Sequence, residues 1–166
     1  MKSLIPSYLH KIVVPKKDLM DNYTNIIEVK TKAGKAYEAL TREIPLWWTD
    51  MFEGSSSETD SVFTIRFGEN IHKTMKVKET VADSKVIWYV EDSLIALPEL
   101  KNQTEWIGTT IIWEIEKREN TTLLHLTHIG LKPSVECYEI CSNGWLQFLS
   151  SLKLFLETGK GTPYKG

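Results

Sequence analysis

The sequence predicts an α+β domain: a curved antiparallel β-sheet wrapped around one long C-terminal α-helix, with two short helices after the first strand. Three observations predict it. Apolar residues alternate with a period of two through the middle of the chain, as they do in half-buried strands. Short turn signals such as Asp83-Ser84 and Glu119-Asn120 separate these stretches, which suits antiparallel neighbours and leaves no room for crossover helices. Beyond Leu131 the period changes to steps of three and four, the stripe of an amphipathic helix.

The elements follow in order. Residues 1–21 mix Pro6, Pro15 and a Lys16-Lys17-Asp18 cluster without a sustained period, and are expected to form an N-terminal extension. A strand is expected from about Tyr23 to Lys30, then a short helix from Gly34 to Arg42. Pro45 stops that helix or opens the next, because proline suits a first helical turn and breaks an interior one. Ile44-Pro45-Leu46-Trp47-Trp48 is therefore expected as a second short helix or a turn, and Gly54-Ser55-Ser56-Ser57-Glu58 as a loop. Phe63, Ile65 and Phe67 share one strand face. In the next strand Ile71, Met75 and Val77 oppose His72, Lys76 and Lys78, and Lys73 interrupts the alternation. Further strands are expected over Val86–Glu91, Trp106–Lys117 and Thr122–Leu131.

The long helix spans about Val135 to Glu157, with Cys137, Cys141, Trp145, Phe148, Leu152 and Phe155 on its stripe. Ser134 is its expected N-cap and Gly159 its stop. Residues 160–166 are left as a C-terminal tail, and 22–159 as the domain. A single sheet must cover its apolar face, and this helix is long enough to do so. A sheet curling around one helix, with short helices plugging one end, leaves a cavity between them.

Composition excludes several classes. Twenty Lys and Arg against twenty-two Asp and Glu give a net charge of -2. No nucleic-acid partner is expected, because that footprint is an excess of base. Apolar runs are too short to span a bilayer, so no membrane insertion is expected. The N-terminal residues lack the apolar stretch of a secretory signal, and two cysteines do not make a disulfide framework. The expectation is a cytoplasmic protein. No phosphate-binding loop, dinucleotide fingerprint, nucleophile elbow or paired-histidine zinc motif is present, so no cofactor is expected.

The candidate chemistry is sparse. Six tryptophans are the loudest feature, and indoles serve both core packing and pocket walls. Trp48 belongs to the short helices, Trp113 to a strand face with Ile111 and Ile115, and Trp145 to the helix stripe. His128 shares the face of Leu124 and Leu126 and points inward, where it would orient a ligand or sit neutral beside a partner. It is the one candidate acid or base, too little to assign catalysis, so no catalytic residue is named. Cys137 and Cys141 share a helical face but lack further ligands, so no metal site is expected.

Glu105-Trp106-Ile107-Gly108-Thr109, Leu124-His125-Leu126-Thr127-His128-Ile129-Gly130 and Gly144-Trp145, followed by Leu152 and Leu156-Glu157-Thr158-Gly159, resemble the START-like (SRPBCC) superfamily. The branch most resembled is that of homologues of the activator of heat-shock protein 90 ATPase. Ala39-Leu40-Thr41 and Trp47-Trp48 resemble that branch's opening helices. The resemblance runs from about Tyr23 to Gly159. It implies the helix-grip fold and a central apolar cavity. It also implies a role in binding a small apolar or amphipathic molecule, or a chaperone partner in stress response, or a cyclase- or hydrolase-type enzyme. The residues expected to line the cavity are Trp48, Thr109, Trp113, His128, Cys141, Trp145 and Phe148.

Overall fold

The computed structural model describes residues 21–166. The N-terminal extension expected over 1–21 lies, but for Asp21, outside the described residues. Among the described residues seven strands form one sheet: β1 (Tyr23–Val29), β2 (Phe52–Gly54), β3 (Val62–Arg66), β4 (Ile71–Val81), β5 (Lys85–Ile95), β6 (Thr110–Lys117) and β7 (Thr122–Ile129). Between and after them lie the helices α1 (Ala33–Thr41), α2 (Ile44–Trp47) and α3 (Tyr138–Thr158). The spatial order is β1-β7-β6-β5-β4-β3-β2, antiparallel throughout. The first strand thus pairs with the last, Tyr23 opposite His128 and Val29 opposite Thr122. This is the helix-grip fold that the sequence predicts.

The sheet curves because its longest strands are irregular. The β4–β5 register shifts between Thr74 and Met75 and again between Val77 and Glu79. Each inserted residue bends the strand and increases its twist. On the concave side α3 buries Cys141, Trp145, Phe148, Leu149, Ser151 and Leu152, the stripe read from its spacing. From α1, Ala33, Ala36, Ala39 and Leu40 join the same core.

Some boundaries differ from expectation, each for a local reason. Trp106 to Gly108 form a turn instead of opening β6, because Gly108 takes a left-handed φ of 84° and the Thr109 amide donates to the Trp106 carbonyl at 3.0 Å. β2 was hidden in loop-like composition; it is a three-residue edge strand paired to β3. The N-cap of α3 is Cys137, not Ser134, and its side chain caps nothing. The Glu105 carboxylate accepts the amides of Glu136 at 3.0 Å and Cys137 at 2.9 Å instead. Orphan donors at a helix start need acceptors, and here one comes from far along the chain.

Residues 160–166, expected as a tail, fold back onto the domain. The Tyr164 amide donates to the Trp48 carbonyl at 2.9 Å, and the Asp50 amide to the Tyr164 carbonyl at 3.0 Å. The Ser151 hydroxyl donates to the Trp47 carbonyl at 2.6 Å and accepts the Thr162 amide at 2.8 Å.

Within α3, Leu152 is fully buried while Leu154 is 42% exposed. Leu152→Ala is expected to cost about 2–5 kcal/mol, and Leu154→Ala about 0.5 kcal/mol or less. Urea denaturation of both variants checks this; equal losses would reject the orientation of the helix.

Candidate functional site

The tryptophans pack as a connected set of rings between α3 and the sheet. Trp48 stacks on Trp47 at 5.3 Å and on Trp88 at 5.7 Å, and tilts against Trp145 at 5.2 Å. Trp145 in turn stacks on Trp106 at 5.9 Å. Trp113 meets Trp47, Trp88 and Trp145 edge-on. Offset-stacked and edge-to-face pairs are the arrangements that the ring quadrupole favours, each contributing about 0.5–1.5 kcal/mol beyond area burial.

Trp145 is fixed by His128, which is fully buried. The Trp145 indole N–H donates to His128 Nδ1 at 3.1 Å. An indole only donates, so Nδ1 is unprotonated and the ring proton sits on Nε2. Nε2–H then donates to the Thr109 hydroxyl at 2.9 Å, which itself donates to the Trp106 carbonyl at 2.6 Å. Burial, helped by the charge of Lys73, pushes the imidazole down to about 3. Both nitrogens are committed, so His128 has none to present to a substrate. Gly130 makes this network possible. Its φ is 101°, and a Cβ there would lie 2.7 Å from the Thr109 methyl.

At the end of the sheet where β4 begins and β5 ends, the ring cluster leaves a cavity of about 310 Å³. Trp48, Lys73, Ile95, Trp106, Cys141, Trp145 and Phe148 are its buried lining, and Ile140, Gln147 and Tyr164 its exposed rim. Phe67, Ile71 and Gly144 complete it. Of the residues expected in the cavity, the structure brings Trp48, Cys141, Trp145 and Phe148 to its wall. Thr109, Trp113 and His128 are not among its lining. Thr109 and His128 face inward but are sealed behind Trp106 and Trp145, and Trp113 is enclosed by other indoles.

Lys73 is the charged lining residue among those that sequence reasoning passed over. It follows the inward alternation of Met75 and Val77 on β4 and is only 8% exposed. Its Nζ sits 4.2 Å from the centroid of the Trp106 ring and 5.0 Å from that of Phe67. Cation–π attraction recovers part of the lost hydration. Burial pushes the amine down to about 8, against the opposing pull of Cys141 and Cys137, so it remains cationic at neutral pH. The signal was present: a lysine in an apolar alternation. Tyr164 gave no signal, since nothing local shows that its segment returns.

The Trp106 indole N–H donates to Cys141 Sγ at 3.1 Å. Hydrogen bonding between the two thiols, first among the causes for each, pushes Cys137 up and Cys141 down. Among the described residues no group of three or more His, Cys, Asp or Glu is placed to hold a metal ion. No helix among them is long and apolar enough to cross a membrane. A wider groove of about 920 Å³ lies at the other end of the strands, lined by side chains of both charges including Lys32, Lys117, Asp83 and Glu119. It lacks the aromatic walls of the cavity.

Because the folded His128 holds its proton so weakly, native stability gains from it fully above pH 6.5 and loses that gain as pH falls toward 3. Nitrogen-15 NMR of the imidazole is expected to show the Nε2–H tautomer unchanged from pH 7.5 down to 5. An imidazole titrating near pH 6.5 in the folded protein would overturn this network.

The family model described as Activator of Hsp90 ATPase homolog 1-like protein matches residues 30–157. The chain is similar in structure to the Aha1 dimer from Colwellia psychrerythraea, with 30% identity and a TM-score of 0.68, covering 84% of this chain and 98% of that one. It shares its fold with DynU16, a putative protein of the dynemicin biosynthetic locus, at 18% identity and TM-score 0.63 over 85% of this chain and 49% of that one. It shares it also with protein MLL2253 from Mesorhizobium loti, at 16% identity and TM-score 0.64, covering 81% and 96% respectively. No curated protein matches the sequence. With a helix-grip sheet, a matching family model over most of the chain and this likeness to an Aha1 structure, the chain belongs to the family of activator of Hsp90 ATPase homolog 1-like proteins.

Proposed function

We propose that this protein is a binding module for a small amphipathic molecule, held in the aromatic cavity beside α3. The observation that supports this reading is the cavity itself. Its volume of about 310 Å³ lies at the small end of the range usual for ligand pockets, roughly 300–1,000 Å³. Trp48, Trp106, Trp145, Phe67, Phe148 and Tyr164 offer it rigid aromatic faces. Removing apolar surface from water at about 25 cal/mol per Å² would supply most of the affinity. The rings are already held by stacking and by the His128 hydrogen bond, so little ordering cost would fall on binding.

Gly144 supports the same reading. It sits inside α3, where glycine is destabilising by roughly 0.5–1 kcal/mol relative to alanine. A Cβ there would meet no atom within 4 Å, so packing does not demand glycine. What its missing side chain leaves open is the cavity wall.

A second reading, action on a chaperone ATPase, rests on the family's name and on the 30% identity with the Aha1 structure. It moves ahead if the cavity binds nothing.

The neutral dye N-phenyl-1-naphthylamine is expected to bind the native chain, gain fluorescence and quench tryptophan emission. Gly144→Phe, which projects a ring over the opening from a position with room for it, is expected to abolish binding and keep the cooperative melt. Dye binding unchanged in Gly144→Phe, or seen only with unfolded protein, would contradict the proposal.

A further inference from the structure

Resting on the cavity-binding reading, we propose that the ligand is an apolar monocarboxylate whose head group pairs with the Lys73 ammonium. Four observations converge on this. Lys73 lines the cavity and is only 8% exposed. Among the described residues its Nζ has no hydrogen-bond or ion-pair partner; two aromatic rings are its contacts. No Asp or Glu lines the cavity. Across the β4–β5 register stands Ser93, whose buried hydroxyl is likewise without a partner among the described residues.

Buried charges are normally paired, because a lone one forfeits its hydration. Ring faces attract a cation but cannot accept its hydrogen bonds as an oxygen anion does. A bound carboxylate would supply the missing acceptor from the cavity side, with its apolar body against Trp48, Trp145 and Phe148. The other ionisable groups around Lys73 are the thiols of Cys141 and Cys137, neutral His128 and the Tyr164 phenol at the rim. None adds a second positive charge. One cation fits one negative charge, so a monoanion is favoured over a phosphate monoester, whose second charge would be left unpaired. The cavity volume of about 310 Å³ suits a body of up to about seventeen non-hydrogen atoms at interior packing density.

The test uses the full chain at pH 7 with 4-phenylbutyrate and its amide, 4-phenylbutyramide, which share one skeleton and differ in charge. Calorimetric titration is expected to show the carboxylate binding about 10–100-fold more tightly, the range for a hydrogen bond to a charged partner. In Lys73→Met, or in Lys73→Gln if the first variant folds poorly, that preference is expected to vanish. Equal affinities in the wild-type chain, or a preference that survives loss of the amine, would overturn the carboxylate assignment. If the amide and the neutral naphthylamine dye still bind in that case, the cavity reading stands without it. If none of the three probes binds, both fall together.

Discussion

The packing of rigid indole planes between one helix and one curved sheet is the constraint on which the rest of this molecule depends. Leucine and methionine adapt to irregular space; stacked rings do not. Trp47, Trp48, Trp88, Trp113, Trp145 and Trp106 are locked face to face or edge to face. They fill the middle of the grip and leave a gap where β4 begins and the first turns of α3 pass over it. The cavity is what remains when flat, stiff groups fill a tapering space. Its lining is mostly aromatic and aliphatic because it is the end of the same core.

The cluster stands because its edges are tied. His128 holds the Trp145 edge, and Thr109 ties that histidine to the backbone beneath Trp106. Glu105 fastens the Trp106 turn to the start of α3, while the Glu136 carboxylate accepts the amides of Lys101 and Asn102 from the preceding loop. Within the cluster, the indole N–H groups of Trp88 and Trp113 are buried without acceptors among the described residues. Leaving buried donors unpaired costs stability, and the buried Lys73 ammonium adds to that cost at neutral pH. Evidence of design against stability tends to concentrate where function sits, and here Lys73 lies at the cavity while the unpaired indoles lie deeper in the core.

Much of the fold was legible in the sequence because its elements carry clean periods. The β6 and β7 alternation turned Trp113 and His128 inward, and the α3 stripe placed Cys141, Trp145, Phe148 and Leu152 on the sheet. The site was legible only in part. Alternation tells which face a residue occupies, not which neighbour seals it, so Thr109, Trp113 and His128 read as cavity wall although other rings close over them. Trp106 read as strand because its apolar neighbours hid the turn at Gly108. Lys73 broke an apolar pattern in plain view, but one polar residue in an alternation does not say that the strand keeps its register through it. Tyr164 and Glu105 act through contacts made far from their own segments, which no local pattern encodes.

The central claim is that a cationic amine is buried among aromatic rings at a ligand-sized cavity. Its most direct test is an NMR titration of the Lys73 side chain in protein labelled with carbon-13 lysine, assigned by the signal that disappears when this residue is replaced. The account predicts a midpoint near 8, with ε-methylene protons shifted upfield by the Trp106 ring that lies 4.2 Å from the amine. A midpoint near the ordinary lysine value of 10.5 without a ring-current shift would place the amine in solvent and contradict it.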